Sequence, residues 1–89
     1  MYYVYILKSQ SSGKYYIGQT QNIEQRLIRH NSGQSRYTKG KGPWLLVYKM
    51  ECMSRIEALA IEKKFKSHKS RTYIEKLIVA EGIPISNGT

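Results

Sequence analysis

Residues 2–20 read YYVYILKSQSSGKYYIGQT, and this stretch decides the fold. Its first part, YYVYILK over residues 2–8, is a β-branched and aromatic run of strand length. A Ser/Gly segment from Ser9 to Gly13 interrupts it, and KYYIGQT then supplies a second strand ending near Thr20. Two strands joined by a short glycine-containing loop read as an antiparallel hairpin. With the turn placed near residues 10–11, positions summing to about 21 pair, so Tyr5 is expected opposite Tyr16. Side chains alternate along a strand, so Tyr3 and Tyr5 share one face and Tyr16 shares its strand's matching face with Gly18. Gly18 withholds a side chain beside Tyr16, leaving room for a ligand or another backbone to approach. The same spacing also suits two aromatic residues that simply pack across strands.

Outward from the hairpin, Asn22 is a favoured N-cap, and Gln25 three residues on completes a capping box. The helix it opens carries Ile23, Leu27 and Ile28 as its apolar stripe and stops near Gly33. Residues 33–43, GQSRYTKGKGP, are glycine-rich and basic and predict a mobile loop. WLLVYKME (44–51) is a third strand. Ser54 with Glu57 forms a second capping box and starts a helix through about Lys69. A last helix, capped by Ser70 or Thr72, presents Tyr73, Ile74, Leu77 and Ile78 and ends at Gly82. The order β-β-α-β-α-α predicts a small α/β (α+β) domain over residues 1–83, with helices packed on a mostly antiparallel sheet and a two-layered core. Residues 84–89 form a loose tail.

The chain has 89 residues, enough for one domain. Fifteen Lys+Arg against six acids give a net charge of +9, and the pI is near 9.8. All the acids are glutamates, which excludes a site built on paired aspartates. The single cysteine, Cys52, excludes an internal disulfide framework and a multi-cysteine zinc site. No apolar run approaches a membrane span and no basic segment precedes a signal core, so the expectation is a cytoplasmic domain without membrane association. Lys63, Lys64, Lys66, Lys69 and Arg71 crowd a segment free of acids, which points to a polyanion such as nucleic acid. Solvated helix faces would show the same clustering.

Four features converge on chemistry. Tyr5 and Tyr16 lie on the hairpin. Arg26 and His30 stand at i and i+4 on the first helix and project on one side, with Asn22 a turn earlier. A guanidinium suits bidentate phosphate binding, and an imidazole can donate to phosphate or shuttle a proton. Glu62 sits within the Ala58, Ile61, Phe65 stripe, where a carboxylate is costly unless it is paired or binds a metal. Pairing with Lys66 at i+4 is the simpler account. Finally, Lys14 before the second strand and Arg36, Lys39 and Lys41 in the basic loop suit contact with a nucleic-acid backbone, as does Lys66.

Together these residues resemble the GIY-YIG nuclease family, in its small, single-domain bacterial branch. Tyr16-Ile17-Gly18 matches the second signature triplet. Tyr3-Val4-Tyr5 stands where the first is expected and keeps only its tyrosine. Asn22, Arg26, His30 and Asn31 are similar to the family's first helix, and Glu62 lies in a matching context, Ala58-Leu59-Ala60-Ile61-Glu62-Lys63. The resemblance spans residues 2 to about 78 and extends to nuclease modules of excision repair, and so of DNA repair.

The resemblance implies endonucleolytic hydrolysis of DNA with one divalent cation, Mg²⁺ or Mn²⁺. Glu62 would hold the metal, and Arg26 would neutralise charge on the phosphoryl oxygens. Tyr5 would orient or deprotonate the attacking water, with Tyr16 hydrogen-bonding beside it. His30 would relay a proton or contact phosphate. An unperturbed tyrosine is a poor base at neutral pH, so the mechanism needs help from the metal and nearby cations, or a role for Tyr5 other than base. Nothing in the chain supplies a targeting module, which leaves branched or single-stranded DNA, or a protein partner, as the source of specificity. A non-catalytic nucleic-acid-binding module on the same scaffold is the alternative reading, and a protein-interaction domain with exposed aromatic residues is a third.

Overall fold

The apolar N-terminal run becomes the middle strand of a sheet covered on both faces. The structure, a computed structural model, describes residues 1–68 and 70–82. The expectations placed on Lys69, on the domain boundary at residue 83 and on the tail lie outside the described residues. Within them the elements are β1 (Tyr2–Ser9), β2 (Tyr15–Thr20), α1 (Ile23–Asn31), β3 (Trp44–Cys52), α2 (Arg55–Ser67) and α3 (Arg71–Glu81). The sheet order is β2-β1-β3 and both pairings are antiparallel. The fold is therefore α+β, in the predicted order β-β-α-β-α-α. No helix among the described residues is long and apolar enough to cross a membrane.

Val4, Tyr5, Ile6 and Leu7 are consecutive and all buried. Only a central strand sandwiched between layers buries both of its faces. Val4 and Ile6 face Val47, Tyr48, Ala58, Phe65 and Ile74, so this side is closed by α2 and α3. Tyr5 and Leu7 face Trp44, with Ile23 and Leu27 of α1 packed against them. The domain thus has three layers rather than the two expected, because α1 crosses to the opposite face from α2 and α3. Each fully buried aliphatic side chain here contributes about 1.5–3 kcal/mol. Cys52 is also buried and belongs to the α2–α3 side.

A β-bulge between Ile6 and Leu7 of β1 and the facing part of β3 inserts Val47 as an extra residue. It lets Val47 and Tyr48, neighbours in sequence, point into the same core cluster. Trp44, before the bulge, is left on the α1 face.

The hairpin register differs from the expected one. Tyr5 pairs with Gly18 and Tyr16 pairs with Leu7. β1 runs on through Ser9, and the turn closes with Ser9 N–H on the Lys14 carbonyl and Gly13 N–H on the Ser9 carbonyl. Gly13 takes a positive φ of 74° there. The turn therefore lies one residue later than placed, which moves every partner by two positions. A two-residue shift preserves facing, so Tyr5, Tyr16 and Gly18 still share one side.

Both N-caps form, without the reciprocal half of a capping box: the Asn22 N–H goes to Thr20 Oγ1 and Glu57 Oε1 accepts the Met53 N–H. Asn22 accepts the Gln25 N–H at 3.0 Å, and Ser54 accepts the Glu57 N–H at 3.1 Å. Ser70 occupies the N-cap position of α3 without a side-chain capping bond. The buried face of α1 is not the expected one. Ile28 is 66% exposed, and the inward positions are Ile23, Leu27 and His30, at i, i+4 and i+7. That is the spacing of a core face whose last member is polar.

The basic loop is pinned rather than free. Ser9 Oγ donates to the Lys41 carbonyl at 2.6 Å, and the Gln10 N–H donates to the Pro43 carbonyl at 2.9 Å. Asn31 accepts the Trp44 N–H at 2.6 Å and donates back to the Trp44 carbonyl at 3.2 Å. Trp44 Nε1 donates to the Thr38 carbonyl at 3.2 Å. Local composition points to mobility, but these partners come from distant elements.

Candidate active site

The site begins with a missing atom. A Cβ on Gly18 would sit 2.6 Å from the Tyr5 hydroxyl oxygen and 2.8 Å from its Cζ. Glycine at this position lets the Tyr5 ring cross over β2, so the room it leaves is filled by Tyr5 itself. Tyr16 flanks the ring, with centroids 6.3 Å apart and planes at 41°.

His30 then fixes the phenol. Tyr5 Oη lies 3.0 Å from His30 Nε2, and His30 Nδ1 lies 2.8 Å from Thr38 Oγ1. All three residues are buried, with His30 and Thr38 each 1% exposed. One proton arrangement satisfies every group: Thr38 donates to the Ser35 carbonyl 3.5 Å away, Nδ1–H donates to Thr38, and Nε2 accepts from Tyr5. The opposite tautomer would leave the Tyr5 proton without an acceptor among the described residues. The Tyr16 ring packs on the imidazole at 4.8 Å and meets Trp44 edge-on at 6.4 Å. Thr38 is held in turn by Trp44 through its carbonyl. The pinned loop is thus the outer support of His30.

His30 does not share a solvated helix face with Arg26. The imidazole points into the protein with both nitrogens engaged. Arg26 is half-buried at the edge of the same helix. Burial, then the Arg26 charge, lower the His30 pKa below its ordinary value and keep the imidazole neutral. For Tyr5, burial pushes the phenol well above its ordinary pKa. Tyr16 and Glu62 add to that shift, and Arg26 opposes it. Tyr5 is consequently a neutral phenol at pH 7.

Glu62 comes from α2, across the sheet edge, and its charge is felt at Tyr5. Its side chain is 16% exposed, and Oε2 lies 3.0 Å from Lys66 Nζ. Ala58 and Phe65 of its stripe are buried and Ile61 packs beside them, as the periodicity predicts. Among the described residues no three His, Cys, Asp or Glu side chains cluster as a ready metal cage. The available donor set is one carboxylate, a set that suits an ion retaining most of its water, such as Mg²⁺.

Two cations missed by the sequence reading join Arg26. Arg29 and Arg55 line, with Arg26, Gln19 and Gln25, a polar cavity of about 370 Å³. Arg29 stands at i+3 from Arg26, a signal available in the sequence. Arg55 opens a helix far along the chain and carries no local signal. Lys14 lies beside Tyr16 and Lys66 at a second cavity. Arg36, Lys39 and Lys41 are exposed on the loop that carries Thr38.

Comparison with known proteins finds relatives of this chain in sequence and in fold. The sequence profile of the GIY-YIG catalytic domain matches residues 1–75. The UPF0213 protein BH0048 of Halalkalibacterium halodurans is 38% identical over 89 residues, covering 99% of this chain and 93% of that protein. UPF0213 protein SSP2268 of Staphylococcus saprophyticus is 35% identical over 82 residues, covering 91% and 96%. The solution NMR structure of the UPF0213 protein BH0048 from Bacillus halodurans superposes with a TM-score of 0.61, covering all of this chain and 95% of that one.

Proposed function

Because this chain belongs to the GIY-YIG family, a family of nuclease-type domains, we propose that it is a metal-dependent endonuclease hydrolysing DNA phosphodiester bonds in the cytoplasm. The observation that carries the reading is the buried Tyr5–His30–Thr38 chain, set beside Tyr16 and within the electrostatic reach of both Arg26 and Glu62.

In this reading Tyr5 binds and orients the attacking water through its phenolic oxygen. As the water proton moves to that oxygen, the phenolic proton moves to Nε2 of His30, which the Nδ1–Thr38 hydrogen bond holds in register. A neutral imidazole is the form that can take it. Tyr16 shields the phenol and adds a hydroxyl beside it. Arg26 neutralises charge developing on the phosphoryl oxygens. Glu62 would hold Mg²⁺ or Mn²⁺, which when bound supplies Lewis-acid polarisation of the phosphate. Lys66, now paired with Glu62, would be free to contact the DNA backbone alongside Lys14 were Glu62 to hold the ion. Arg36, Lys39 and Lys41 extend the backbone contact, and targeting to branched or single-stranded DNA, or by a protein partner, completes the specificity.

A second reading, a non-catalytic DNA-binding module, is favoured by one observation. The Glu62 charge is already neutralised by Lys66 at 3.0 Å, which suits a structural ion pair as well as a metal ligand.

A gel assay separates the two. Purified protein is incubated with labelled duplex, single-stranded and branched DNA in Mg²⁺, Mn²⁺ or EDTA, with Glu62→Gln alongside. Scission that needs the ion and disappears in the mutant, while binding is retained, supports the nuclease. Binding without scission in every lane supports the module.

A further inference from the structure

Beyond Tyr16 and Lys66 the surface continues into a cavity of about 540 Å³ between β2 and the α2–α3 junction, to which the proposed chemistry assigns no part. This is within the roughly 300–1,000 Å³ common for small-molecule sites. Ile17, Phe65 and Ile74 give it an apolar floor. Its walls are flat and held in place. The His68 ring stacks on Tyr73 at 4.5 Å with planes 27° apart. Arg71 lies over the Tyr15 ring at 5.2 Å, fixed by Glu75 at 3.1 Å and by the Gly13 carbonyl at 2.9 Å. Lys14 and Lys66 stand at the rim, and among the described residues no carboxylate lines the cavity.

An apolar floor between planar walls fits an aromatic heterocycle, while lysines at the mouth fit an anion attached to it. The lining cations favour an anionic ligand over a cationic one, since Glu75 and Glu62 are already engaged by Arg71 and Lys66, and a purely apolar ligand would have no use for the lysines. Because the cavity shares Tyr16 and Lys66 with the candidate active site, a ligand here is continuous with a strand whose phosphate lies at Arg26 and Glu62. We propose that this cavity is a nucleobase subsite, which receives a base turned out of its stack from the nucleotide adjoining the scissile phosphate. It rests on the nuclease reading and sharpens it, since such a base is available in single strands, branch points and gaps but is costly to extract from intact duplex. Stacking on flat side chains is tolerant of base identity, so the subsite selects for unstacking rather than for sequence.

The test is a binding measurement in EDTA, where no cleavage occurs. Fluorescence anisotropy is recorded for wild-type protein with a short single-stranded oligonucleotide and with a series in which one abasic position is stepped along it. The expected result is one position at which removing the base weakens binding about tenfold, the size of one lost stacking contact. His68→Ala, an exposed change, should weaken the intact oligonucleotide by a similar factor and leave the oligonucleotide abasic at that position unchanged. A flat abasic scan, or equal weakening of both oligonucleotides by His68→Ala, overturns the subsite while leaving DNA binding intact. Displacement of the strand by free deoxynucleoside monophosphate at the strand's own affinity also overturns it, by showing a site for free nucleotides. Absence of binding to any DNA removes the nuclease reading along with it.

Discussion

Tyr5 and His30 stand 25 residues apart in sequence, yet the phenol of one and Nε2 of the other meet at 3.0 Å in the interior. The contact exists because Gly18 opens the way across β2 and because Thr38, on a loop tied back by Trp44, holds the far side of the imidazole. The phenol and the imidazole are thereby locked into the layer between β1 and α1. In the proposed nuclease, stability and chemistry would depend on the same few side chains.

Gly18→Ala is expected to destabilise the fold by about 1–3 kcal/mol, the usual range for an overpacked interior. The new Cβ would lie 2.6 Å from the Tyr5 oxygen and 3.1 Å from the Tyr16 ring, so Tyr5 must leave its bond to His30. Urea unfolding checks this as a lowered midpoint at unchanged slope. An unaltered midpoint would mean that the ring has room to spare.

Stability should fall as the solution is acidified through the ordinary histidine range. His30 is held neutral, with its pKa below the ordinary value of 6.5, so the unfolded chain binds more protons than the native one in that window. The contribution is complete above about pH 7, declines as pH drops below 6.5, and levels off beneath the native pKa. Denaturant titrations at pH 7.5, 6.5 and 5.5 test the sign, with His30→Gln as the control that removes the slope. A wild-type profile level across these values would contradict the buried neutral imidazole.

Tyr5→Phe retains the ring and its packing but deletes the hydroxyl that would carry the proton. Cleavage should drop by about 10²–10⁴, the usual worth of a positioned acid–base group, with DNA affinity nearly unchanged. Because the phenolic proton passes to a His30 that is already neutral, wild-type turnover should be level between pH 7 and 9 and fall only on acidification below the ordinary histidine range. A rate that climbs steadily from pH 7 to 9 would contradict the relay through His30 and point to phenolate as the base instead.

Two of the three arginines of the polar cavity should separate by role. Arg26→Ala is expected to lower turnover by about 10²–10³, as loss of one charge-stabilising donor does. Arg55→Ala should instead weaken binding and reduce the slope of affinity against salt by about one, with turnover at saturating DNA preserved. A turnover loss below about tenfold for Arg26→Ala would leave it a binding residue only.

Much of the scaffold is legible in the chain itself. The N-caps at Asn22 and Ser54 form, and the Ala58, Ile61, Phe65 stripe faces the core. Each depends on residues within a turn or two of each other. The hairpin register slips by two positions because a five-residue Ser/Gly segment does not state where its turn closes. His30 is harder still. The i, i+4, i+7 spacing of Ile23, Leu27 and His30 marks it as inward-facing, but histidine in a sequence reads first as a surface residue. Ile28, more apolar, takes its place in any local reading and proves exposed.

What the sequence determined alone is the set of elements, their order, the basic character of the surface and the family signature carried by Tyr5, Tyr16, Gly18, Arg26, His30 and Glu62. The elements, their order and the basic surface follow from propensity, periodicity, turn chemistry and net charge, which act along the chain or without regard to it, while the signature is a resemblance of residue identities. Tertiary structure decided the rest: three layers instead of two, Gly18 as the space for Tyr5, Thr38 as the support of His30, and the company of Arg29 and Arg55 around Arg26. Most of those relations join residues from different elements. They exist only once α1 has settled on one face of the sheet and α2 and α3 on the other, because burial, not adjacency, selects which side chains meet.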